Sequence, residues 1–118
     1  MQYILLIAND ETLDEALSPD EAAAQTAAYG AWVGECAARG ALVGGERLRP
    51  TSDATTVQVR NDQVVTIDGP FAETKEQIGG YFIIEAENLD QAVQAASMLP
   101  AAKTGCIEVR PIWPMDMP

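Results

Sequence analysis

The chain has 118 residues, 47% of them apolar, with 18 acidic and 7 basic side chains and a net charge of −11. That length and apolar share describe one globular domain over residues 1–118. The acidic balance argues against nucleic-acid or anionic-membrane partners, which need clustered Lys and Arg, and the lack of any histidine removes the commonest general base and most transition-metal sites.

"YILLIA", Tyr3 to Ala8, is a continuous apolar run that suits a buried strand. With no basic segment before it, and too short for a leader or a membrane span, it points to a cytoplasmic protein. A polar loop is expected next, carrying Asn9, Asp10, Glu11, Asp14 and Glu15. Its acids lack the spacing of a calcium loop. "SPDE", Ser18 to Glu21, predicts a helix start: Ser18 caps, Pro19 opens the first turn and Glu21 stands three residues on. Ala22, Thr26, Tyr29, Val33, Cys36 and Ala37 then keep helical spacing, Trp32 and Leu42 extend the apolar surface, and Gly40 closes the helix.

"ALVGGERLRP" predicts a short strand, a Gly-Gly bend and a polar arm. "TTVQVRNDQVVTID" reads as a hairpin turning at Asn61-Asp62. "GYFIIEA", Gly80 to Ala86, is a second buried strand, and "NLDQ", Asn88 to Gln91, caps a second helix that Pro100 ends. "CIEVRPI" is a last strand, and "WPMDMP" an irregular tail. Cys36 and Cys106 have no metal or redox spacing and are expected to be buried or partly buried free thiols.

This order is βαβ-hairpin-βαβ, an α+β class with a mainly antiparallel sheet and a ferredoxin-like core. Two helices cover one sheet face. The first and fifth strands are apolar on both, so a second copy, sheet against sheet, is expected to cover the other, making a homodimer.

Within "DGPFAETKEQIGGYFIIE", residues 68–85, the sequence resembles the DGPF subgroup of the YCII-related family. "YILLI", "SPDE…YGAWVGE", "GALVGGERL", "ATTVQVR" and "IEVRPI" extend the likeness from end to end. The resemblance implies a ferredoxin-like, dimeric α+β barrel. Members are mostly bacterial and functionally uncharacterised, some encoded near extracytoplasmic-function sigma factors. It also implies, for the wider family, a histidine on the first helix paired with an aspartate before a proline after the second. Here Ala27, Ala28 and Tyr29 stand near the first place and Leu99 precedes Pro100, so that pair is not carried over.

The leading polar candidate is Asp68, read either as acid, base or acceptor at a pocket, or as the former of an Asx turn before Gly69-Pro70. Phe71 is expected to anchor the loop in the core. Tyr29, Arg47, Lys75 and Tyr81 are the other candidate ligand contacts, and Tyr3, Trp32, Arg49 and Arg110 could also serve as pocket or ion-pair residues. Gly79-Gly80 could admit a ligand close to backbone. Glu73 and Glu76 are expected on a solvated loop. No metal or cofactor is expected. Two functions follow: a small-molecule-binding protein, with proton transfer or hydrolysis if it is catalytic, or a regulatory module that binds a protein partner in a sigma-factor or signalling pathway.

Overall fold

A computed structural model of the chain describes residues 1–115. Six strands and four helices form an α+β structure: β1 Gln2–Asn9, α1 Glu11–Glu15, α2 Pro19–Ala38, β2 Leu42–Arg47, β3 Thr55–Arg60, β4 Gln63–Asp68, β5 Gln77–Glu85, α3 Leu89–Ser97, α4 Ala101–Thr104 and β6 Cys106–Pro111. A 3-10 turn at Thr51–Asp53 precedes β3.

The main sheet runs β2-β5-β1-β6, with every neighbouring pair antiparallel. β1 and β2 therefore run parallel on either side of β5, and β5 and β6 run parallel on either side of β1. Each β-α-β unit steps over one strand, and the α+β class with a mainly antiparallel sheet is the one expected from the chain order. β3 and β4 form a separate two-stranded sheet, turned at Asn61 and Asp62, both with positive φ.

Both long helices start where their caps require. The Ser18 hydroxyl accepts from the Glu21 N–H at 3.1 Å, and the Glu21 carboxylate accepts from the Ser18 N–H at 3.0 Å. Asn88 accepts from the Gln91 N–H at 2.9 Å. The expected polar loop after β1 is instead the short helix α1, because Asp10 caps it and accepts from the Thr12 N–H and hydroxyl at 3.0 and 2.6 Å.

Strand alternation separates the two sheet faces. Tyr3, Leu5 and Ile84 pack under the helices with Trp32, Cys36, Ala92, Ala96 and Leu99. Leu5 and Leu99 are fully buried, each worth roughly 1.5–3 kcal/mol relative to exposure. Of the expected α2 stripe only part is inside: Cys36 is buried with Trp32, Tyr29 and Val33 are partly buried, and Ala22, Thr26 and Ala37 are exposed. The opposite sheet face carries Ile4, Leu6, Tyr81 and Ile83, paired Ile4 to Ile83 and Leu6 to Tyr81, and none of the four belongs to the core cluster.

Two expectations about burial change. Cys36 is buried, but Cys106 is exposed, with its Sγ 3.4 Å from Glu76 Oε2. That bond, before burial, raises the Cys106 pKa above its ordinary 9.0. Phe71 is 81% exposed, because its loop follows a hairpin that pairs with no strand of the main sheet. Residues Ile112 to Met115 are irregular; the rest of the tail, Asp116 to Pro118, lies outside the described residues.

Candidate functional site

A cleft of about 310 Å³ opens between the α1–α2 segment and the end of the sheet formed by β2 and β5. Its floor exists because side chains are missing. Gly80 faces the helices opposite Ile7 in register, and a Cβ there would stand 2.9 Å from the Glu46 carbonyl oxygen. At Gly45 a Cβ would fall 2.4 Å from Phe82 Cδ1. Only glycine lets the Phe82 ring lie across β2. Phe82 also packs on Trp32, ring centroids 4.7 Å apart and planes tilted by 42°. Trp32 in turn donates its indole N–H to the Ala95 carbonyl at 2.9 Å, tying α2 to α3. Ile7 and Phe82 thus form an apolar floor at a fixed place.

Polar groups stand around that floor. Tyr29 reaches it from α2, Arg47 from β2 and Asp14 from α1, with Asn9, Gln25 and Thr26 also lining it. Burial raises the Tyr29 phenol above its ordinary 10.0; the Ala101 backbone N–H opposes this, Asp14 adds to it and the Arg47 charge again opposes. The phenol is accordingly a neutral donor and acceptor at neutral pH. Asp14 and Arg47 form no ion pair with each other or with any other described residue.

Of the residues singled out in the sequence, Tyr29 and Arg47 meet in this cleft, and the Gly79-Gly80 pair borders it. Tyr81 does not. It lies on the opposite sheet face, across from Leu6 and Glu46, since it follows the inward Gly80 by one residue. Lys75 lies exposed on the loop before β5, near enough to Asp10 for its charge to help lower that carboxyl below its ordinary 3.8, after the larger effects of the Thr12 hydroxyl and N–H. Asp68 ends β4 on the separate hairpin and is exposed. Among the described residues no backbone N–H bonds its carboxylate, so the bend is not an Asx turn. Gly69 makes it, at φ 100°, donating its N–H to the Ala54 carbonyl at 2.7 Å while its own carbonyl accepts from the Thr56 hydroxyl at 2.8 Å. Arg49 pairs with Asp53 at 2.8 Å and Arg110 with Glu108. Tyr3 is in the core. Glu73 and Glu76 are exposed. Sequence reasoning missed Asp14 and Phe82 as cleft residues. Glycines at two inward strand positions were the available sign.

The YCII-related domain model matches residues 1–116. The chain belongs to the YCII-related family. This YCII-related chain is also 37% identical over 114 residues to an uncharacterised protein of Rhizobium meliloti (strain 1021), an alignment that covers 95% of this chain and 92% of the relative. Among the described residues of this YCII-related domain, no three His, Cys, Asp or Glu side chains converge as a metal site, and no helix is long and apolar enough to cross a membrane.

Proposed function

We propose that this YCII-related chain is a single-domain, small-molecule-binding protein of the DGPF subgroup that works as a homodimer. The observation that carries the binding role is the cleft at Tyr29 and Arg47, where an apolar floor and separate polar groups converge. At about 310 Å³ it sits at the bottom of the roughly 300–1,000 Å³ range of ligand pockets, which suits a small metabolite. The Asp68-Gly69-Pro70-Phe71 phrase supports the subgroup. Two unpaired cysteines suit a reducing compartment, the cytoplasm.

The dimer rests on the second sheet face. Ile4, Leu6, Tyr81 and Ile83 form an apolar surface opposite the helices, and a second ferredoxin-like sheet packed on it completes an α+β barrel. The single chain is also spread out, with a radius of gyration of 16.4 Å and a thickness of 18 Å, against roughly 13 Å of radius for a compact domain of this length.

The test is a fragment screen by thermal shift. Ligands that bind the native cleft raise its melting temperature by mass action. The shift should vanish in Tyr29→Ala and Arg47→Ala and persist in Asp68→Asn. A screen without a single shift that depends on Tyr29 or Arg47 overturns the binding role.

A second reading has its own observation. Val57, Val59 and Val64 on the hairpin are 58–70% exposed, and Phe71 follows them. An apolar surface of that kind suits a protein partner, the regulatory module of a sigma-factor or signalling pathway. The Asp68 loop belongs with this reading, because it adjoins the hairpin and not the cleft.

A further inference from the structure

The cleft holds opposite charges that have not been brought together. Arg47 on β2 and Asp14 on α1 both line it, and neither has an ion-pair partner among the described residues. Both line the same cleft as Tyr29, and their charges act on its phenol in opposite directions. Pairing would lower their electrostatic cost, yet the two side chains form no ion pair. A ligand with two complementary charges would bridge them.

Single charges fit less well. A simple anion would meet Arg47 but also Asp14, and the bare Glu46 carbonyl beside Gly80, in a chain of net charge −11. A simple cation would meet Asp14 and be opposed by Arg47. The floor, Ile7 and Phe82 with the bare backbone at Gly80, offers nothing polar from a side chain and suits an apolar body. Tyr29, neutral and partly buried, can donate to a carboxylate or accept from an ammonium.

We infer that the ligand is a small zwitterion, with a carboxylate held by Arg47, an ammonium held by Asp14 and an apolar body on Ile7 and Phe82, the chemistry of an apolar α-amino acid. This rests on the cleft being the binding site. A guanidinium–carboxylate contact is charge-assisted and can be bidentate, and loss of either ionic contact is worth roughly tenfold or more in affinity.

The experiment uses three matched probes on the full chain: L-leucine, 3-methylbutylamine, which lacks the carboxylate, and 4-methylpentanoate, which lacks the ammonium. Binding is read by NMR titration, following the Gly45, Gly79 and Gly80 amides. L-leucine should bind roughly tenfold or more tightly than either of the others. Arg47→Gln should remove its advantage over the amine, and Asp14→Asn its advantage over the acid. Arg47 and Asp14 are exposed, so both variants are expected to fold, and an unchanged amide spectrum away from the cleft checks this. If 4-methylpentanoate binds as tightly as L-leucine and Asp14→Asn alters neither, the zwitterion inference is overturned and the cleft stands as an anion site. If no probe moves the cleft amides, the inference is likewise overturned, and the fragment screen alone decides whether the cleft binds anything.

Discussion

Gly45 lies directly beneath the ring of Phe82: a Cβ on Gly45 would be 2.4 Å from Phe82 Cδ1 and 2.7 Å from the Tyr81 carbonyl oxygen. The second neighbour is backbone of the adjacent strand, which cannot rotate away. Gly45→Ala should therefore push β2 from β5 or tip the Phe82 ring off Trp32, costing about 1–3 kcal/mol in urea denaturation. It should also weaken ligand binding, since Phe82 is cleft floor. Unchanged stability in Gly45→Ala would mean that the β2 edge yields freely.

The Ser18–Glu21 capping box orders the start of α2, the part of the helix that brings Gln25, Thr26 and Tyr29 to the cleft. Ser18→Ala should cost about 1 kcal/mol of stability. The Ser18 N–H and then its hydroxyl hold the Glu21 carboxyl below its ordinary 4.5. A folded-state pKa below the unfolded one means that the contribution is complete above about pH 4.5 and is lost as pH falls through the lowered value. Glu21→Gln should accordingly flatten the acid limb of a stability–pH curve measured by denaturant titration.

Tyr29 gives the opposite sign. Burial lifts its phenol above 10.0, so the folded state holds this proton more tightly than the unfolded state does. Its contribution is complete below the unfolded value near 10 and is lost as pH rises through the raised folded value. In ultraviolet titration, wild type minus Tyr29→Phe should leave one phenol that ionises above pH 10. Equal alkaline titration curves per phenol in the two proteins would rule this out.

Ile83 pairs with Ile4 on the sheet face away from the helices. Light scattering of the wild type should give the mass of two chains. Ile83→Arg places a charge in the middle of the proposed interface and should give the mass of one, with native circular dichroism retained because the core of Leu5, Ile84 and Leu99 lies on the other face. Monomeric wild type at micromolar concentration would refute the dimer.

Local chemistry was legible from the residues alone. Ser18 with Glu21, Asn88 with Gln91 and the Asn61-Asp62 turn act between neighbours in sequence, and they appear where those residues stand. Alternation in "YILLI" and "YFII" likewise forecast two apolar sheet faces, and the chain order forecast the α+β class. The cleft was only half legible. Tyr29 and Arg47 stand out in the sequence and line the cleft, but Tyr81, Asp68 and Lys75 stand out equally and do not line it. Whether a strand residue faces the helices depends on register, and one position separates the inward Gly80 from the outward Tyr81. Whether a loop reaches the site depends on which sheet its strands join, and β3 and β4 pair only with each other. Phe71 lies exposed because its loop follows that separate hairpin, and Cys106 because it opens β6 at the edge of the main sheet; burial belongs to the assembled layers and not to the side chain. The sequence by itself determined the caps, the turn, the strand alternation and the family. Tertiary structure alone decided that Asp14, Tyr29 and Arg47, from three different elements, surround one floor left open by Gly45 and Gly80. Contacts between distant segments depend on how whole elements pack, and no local pattern encodes that.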